Sequence, residues 1–126
     1  MFKLLMIDDE TNYTMAFKYL LEAKAGYSVI IAPSGSKGLE EAMVQSPDMI
    51  FLDVMMPGES GLDILKALKD DEKTKDIPVY MLSAVQTEKA HSEAKALGVE
   101  GFILKPFDTD LMMEKIEQIK ARKEAS

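Results

Sequence analysis

Met49-Ile50-Phe51-Leu52 is an unbroken apolar run that ends on Asp53. A strand with one solvated face alternates apolar and polar positions. A short continuous run fits a strand covered on both faces, as in a parallel sheet. Similar runs occupy residues 4–7, 79–82 and 102–104. A fifth, residues 29–31, follows Gly26 and precedes Pro33, so it is predicted to be shorter and nearer an edge.

Helical periodicity fills the intervals. Tyr13, Ala16, Phe17, Leu20 and Leu21 share one helical face. Gly35, Gly38, Leu39, Ala42 and Met43 share another, with Ser34 as N-cap. Gly61, Ile64, Leu65 and Leu68 form a third stripe. Ala90, Ala94 and Leu97 form a weaker fourth, closed by Gly98. Asp108 is placed to cap a last helix that turns Leu111, Met112, Ile116 and Ile119 inward. The order is β-α five times over. This predicts an α/β fold: a single-domain, doubly wound parallel sheet of (βα)5 type with right-handed crossovers. The domain is expected over residues 1–120, with 121–126 as a frayed C-terminal tail.

A chain of 126 residues suits one domain and can bury a core without staples. There is no cysteine, which excludes disulfides and thiolate metal sites. No apolar run approaches the roughly 20 residues that span a bilayer. The apolar start runs into Asp8-Asp9-Glu10, unlike a signal peptide. A cytoplasmic protein without a membrane partner is expected. The net charge of -7 repels phosphate backbones, so no direct nucleic-acid contact is expected of this domain.

Chemistry-bearing residues follow the strand runs. Asp8 and Asp9 follow the first, Asp53 the third, Ser83 the fourth and Lys105 the fifth. Open α/β sheets bind ligands outside the carboxyl ends of their strands, so the topology delivers all five to one rim. Carboxylates gathered there repel one another, and a hard divalent cation with oxygen ligands relieves the conflict. Asp9 and Asp53 are expected as direct ligands of Mg2+ (or Mn2+), Asp8 through water, and the Met55 backbone carbonyl as a further ligand. A carboxylate can also attack phosphorus, with Lys105 and Ser83 around the transferred group. Each residue alone has a plainer role. The acids could cap the first helix, Asp53 and Ser83 could open turns, and Lys105 could be solvated. Their joint placement favours a site. His91, the single histidine, is expected to be a solvated side chain.

Together these residues resemble the receiver domain of two-component response regulators, the CheY-like family. Asp8-Asp9 resembles its acidic pair, Asp53 with Met56-Pro57 and Gly61 its phosphoacceptor loop, Ser83-Ala84 its hydroxyl position and small neighbour, and Lys105-Pro106 its lysine and proline. The likeness covers essentially the whole chain. It implies a flavodoxin-like strand order of 2-1-3-4-5 and a cis Lys105–Pro106 bond. It also implies a phosphorelay switch: a sensor histidine kinase, a phosphotransfer protein or a small donor phosphorylates Asp53. The Ala84 backbone would contribute at the phosphoryl site. Ser83 and Phe102 would then rearrange, remaking the face of the fourth helix, fifth strand and fifth helix for a downstream protein target. Met55 and Val85 would flank the path of hydrolytic water, which predicts slow autodephosphorylation rather than enzymatic turnover. A monomer or a phosphorylation-dependent dimer is expected, a choice the sequence does not fix.

Three rivals stand beside this. A magnesium-dependent phosphatase would resemble Asp-x-Asp after the first strand and carry a cap domain. A flavodoxin-type carrier needs a glycine- and hydroxyl-rich phosphate loop where this chain has three acids. A receiver cut from a longer chain is the third; the start at Met1 and the short tail lean towards a stand-alone protein.

Overall fold

A computed structural model describes residues 1–56, 58–83, 88–105 and 109–125, without the side chains of Thr11, Met55, Glu59 and Ala90. The elements run β1 (Lys3–Ile7), α1 (Thr11–Ala25), β2 (Ser28–Ala32), α2 (Gly35–Gln45), β3 (Met49–Asp53), β4 (Met55–Met56), β5 (Glu59–Ser60), α3 (Gly61–Asp70), β6 (Val79–Ser83), α4 (Glu88–Ala96), β7 (Gly101–Leu104) and α5 (Thr109–Ala125). Five strands pair in parallel in the order β2-β1-β3-β6-β7, which is 2-1-3-4-5 over the main sheet. The sequence did not suggest the small antiparallel pair β4-β5; two residues per strand are too few to carry a period.

Successive side chains on a strand point to opposite faces, so each buried strand feeds two cores. Leu4, Met6, Phe51 and Leu82 join Phe17 and Leu21 of α1 and Met112, Ile116 and Ile119 of α5. Leu5, Ile7, Leu52 and Met81 join Ala42 of α2, Ile64, Leu65 and Leu68 of α3, and Ala94 of α4. Burial of this kind contributes about 25 cal/mol per Å² of apolar surface.

The helical stripes hold unevenly. The α3 stripe is wholly buried and Ser34 accepts a bond from the Lys37 N–H, as an N-cap should. Ala16 and Met43, expected inward, are exposed. Thr14 takes an inward position on α1, with its hydroxyl donating to the Glu10 carbonyl at 3.3 Å. The β7 strand is not covered on both faces, because it lies at the sheet edge and leaves Leu104 55% exposed. The tail expected to fray is helical through Ala125, where Arg122 pairs with Glu100 and Lys123 with Asp48. The Asp108 cap lies outside the described residues.

At the other edge, α1 reaches over β2. Lys18 Nζ donates to the Val29 carbonyl at 2.6 Å, while Glu22 accepts from the Val29 N–H at 3.2 Å. The two side chains are themselves paired at 3.0 Å.

Candidate functional site

The rim at the carboxyl ends is tied together before any side chain is considered. Asp8 N–H donates to the Ala32 carbonyl, Val54 N–H to Leu82, and Lys105 N–H to Ser83 at 2.7 Å. Each bond extends strand pairing one step past an element and fixes a loop at its root. Gly61 begins α3 against the same place. A Cβ there would meet the Asp53 carbonyl and the Val54 Cα at 2.7 Å, so only glycine lets the helix approach the acid.

Four of the rim side chains converge. Lys105 Nζ donates to Glu10 at 3.0 Å, Asp8 at 3.2 Å and Asp53 at 3.3 Å. Asp8 is 0% exposed and Asp53 4%, whereas the Glu10 side chain is 62% exposed and closes the cluster from outside. The Tyr13 ring lies 5.5 Å from the ammonium, on the side of a cation–π contact. Burial pushes the Asp8 carboxyl up to about 6; Asp53 adds to the rise, while the Glu10 N–H and Lys105 oppose it. Burial works against the charge of Lys105, yet its bonds to Glu10, Asp8 and Asp53 hold its pKa above the ordinary lysine value. Burial, then the nearby acids, raises the Tyr13 phenol.

Carboxylate oxygens of Asp8, Glu10 and Asp53 lie within 4.8 Å of one another. Three hard oxygen donors at that spacing, one on a carboxyl whose charge burial disfavours, fit a divalent cation. Glu10, not expected as a ligand, belongs to this cluster, while Asp9 stands outside it. The Glu10 N–H donates to Asp8 Oδ1 at 3.0 Å, a local turn that leaves Asp9 exposed beside a recess of about 330 Å³ shared with Glu10, Asn12 and Tyr13. Glu10 sits at the N-cap of α1 but makes no side-chain capping bond, so the plain capping role is not the one it plays. Its signal in the sequence was only its adjacency to the acidic pair.

Ser83 is buried as the last residue of β6. Met55 opens β4, in register with Ser60. Phe102 is half-buried on β7. Ala84, Val85 and the Lys105–Pro106 bond lie outside the described residues. His91 is not solvated: it is half-buried and stacked on Phe102.

A family model, the response regulator receiver domain, matches residues 4–117. The chain belongs to that family. Receiver domains are signalling switches of two-component systems, and this chain carries their flavodoxin-like, CheY-like fold. It is 33% identical over 117 residues to the chemotaxis protein CheY of Pseudomonas aeruginosa, covering 93% of this chain and 94% of that one. It is 37% identical over 120 residues to the transcriptional regulatory protein CpxR of Escherichia coli, covering 95% of this chain and 50% of that protein. The chain spans about half the length of the first curated relatives it matches. The structure of chemotaxis protein CheY4 from Vibrio cholerae superposes with a TM-score of 0.87 at 29% identity, over 94% of this chain and 98% of that chain.

Transcriptional regulators among the relatives remove the ground for excluding nucleic acid as a partner. The net charge of -7 describes this chain's surface alone. No described helix is long and apolar enough to cross a membrane.

Proposed function

We propose that this chain is a phosphoacceptor switch in which Asp53 receives the phosphoryl group. The observation that carries the reading is the contact of Lys105 with both the buried Asp53 and the buried Asp8 at the end of a parallel sheet. A carboxylate oxygen of Asp53 attacks phosphorus as the phosphorus–nitrogen bond of a donor phosphohistidine breaks, and the imidazole leaves. Lys105 exchanges part of its carboxylate pairing for a phosphoryl oxygen, acting as a point charge. Burial disfavours the charge of Asp8 beside Asp53, a cost that a bound cation would offset.

The donor set suits magnesium or manganese, held by Asp8, Glu10 and Asp53 with Asp9 and the Met55 carbonyl as further expected ligands, and neutralising phosphoryl charge when bound. Ser83 closes on the phosphoryl group, the Ala84 backbone contributes beside it, and Phe102 follows as the switch aromatic. The face built from α4, β7 and α5 then meets a downstream protein. Met55 and Val85 slow hydrolysis, so turnover as an enzyme is not the role. The receiver unit spans residues 1–120. A histidine kinase or phosphotransfer protein donates in the cytoplasm, and the product is a monomer or a phosphorylation-dependent dimer.

Intact mass after treatment with acetyl phosphate and magnesium tests this. One added phosphoryl group on the wild type and none on Asp53→Asn is the expected result; an unmodified wild type refutes it.

A further inference from the structure

His91 has no part in the phosphoryl site, yet the fold holds it closely. On α4 it is half-buried, and its ring stacks on Phe102 with centroids 3.6 Å apart and planes 23° from parallel. Its Nε2 is buried and has no hydrogen-bond partner among the described residues. A nitrogen withdrawn from water without a partner opposes that placement. The stack on Phe102 works in the other direction.

Phe102 stands where it can sense the rim. On β6 and β7, Met81 is in register with Phe102 and Ser83 with Leu104. Side chains alternate along a strand, so Ser83, Met81 and Phe102 share one sheet face. Ala94 of α4 is buried on that face with Met81, and Phe102 packs against the same cluster. Among the described α4 side chains, Ala94 is fully buried, His91 is half-buried and the others are exposed.

We propose that His91 is a positioning residue for the switch: its ring is the resting-state partner of Phe102, and the stack breaks when Ser83 closes on an acquired phosphoryl group. This rests on the phosphoacceptor reading of Asp53. A contact made in one conformation biases the equilibrium against the other. The stack therefore favours the resting state, and the unpartnered Nε2 opposes it. Removing the ring frees Phe102. Substituting a phenyl ring keeps the stack and deletes the nitrogen.

The chain has a single histidine, so its ring signals form one unambiguous set in carbon–proton NMR spectra. Wild type is treated with acetyl phosphate and magnesium, and the spectrum and intact mass are followed together. The His91 signals should start shifted by the Phe102 ring current, as a Phe102→Leu comparison reveals, and move towards the unstacked position as mass is gained. His91→Ala should raise the phosphorylation rate about three- to tenfold, the worth of one aromatic pair, and His91→Phe should lower it. Simple loss of stability would move both in one direction. Mass gained with the signals unmoved, or both variants shifting the rate alike, overturns the inference and leaves the phosphoacceptor reading intact. A wild type that gains no mass overturns both. If His91→Ala does not fold, the wild-type spectrum and His91→Phe decide.

Discussion

The two ends of the sheet handle charge in opposite ways. At the amino ends Asp48 and Glu100 have their own partners. Asp48 accepts from Lys123 at 2.9 Å and from the Lys3 N–H at 2.8 Å, and Glu100 takes a two-pronged bond from Arg122. Burial works against Asp48's charge, yet Lys123 and Lys3 hold its carboxyl below the usual value. At the carboxyl ends three carboxylates share the one ammonium of Lys105. Ionised together they leave an excess of negative charge in a largely dry place. Balanced pairs secure a structure; an unbalanced cluster is suited to receive a cation and a reacting group.

The strongest way to break the contrast is at Asp53. Asp53→Asn should lose phosphoryl incorporation from acetyl phosphate by more than about 100-fold, since the amide is no nucleophile; comparable labelling would place the acceptor elsewhere. Next is Lys105→Ala, which removes the cation that the described acids of the cluster share. Its phosphorylation rate, followed by intact mass, should fall about 100-fold, the scale of losing a charge-stabilising donor.

A pH titration sharpens the same contrast without touching chemistry. Folding raises the Asp8 carboxyl from 3.8 to about 6, so folded protein binds this proton more tightly than unfolded chain does. That stabilisation is complete below 3.8 and is lost as pH rises through about 6. With divalent cations chelated, urea unfolding should show wild type losing roughly 2–3 kcal/mol relative to Asp8→Asn between pH 4 and 7. A flat difference would deny Asp8 its unfavourable burial. The smallest effect belongs to the opposite pole. Lys123→Ala breaks a half-exposed pair and should cost about 0.5 kcal/mol in urea while leaving phosphorylation unchanged; altered phosphorylation would mean the two ends are coupled.

What the sequence conveyed divides along similar lines. Continuous runs such as residues 49–52 disclosed the buried strands, and residues after strands disclosed the rim, because both follow from local pattern and topology. The α3 stripe is read correctly since all four of its members are buried. Other features depend on distant partners. Glu10 enters the cluster only because Lys105 is brought beside it across the sheet. His91 looks solvated until Phe102 is placed beneath it. The last helix persists to Ala125 with Arg122 tied to Glu100 and Lys123 to Asp48, pairings that no periodicity announces. Ala16 and Met43 fit an apolar stripe yet end outside it, since a stripe sets a helix face only to within a residue or so.

Val29 has a consequence for association. Its outward carbonyl and N–H are already engaged by Lys18 and Glu22, which imitate one rung of a neighbouring strand. A foreign peptide seeking to lengthen the sheet at β2 would first have to displace both side chains from the Val29 backbone. At that rung the β2 edge is already occupied, whereas β7 at the far edge leaves the Leu104 side chain exposed.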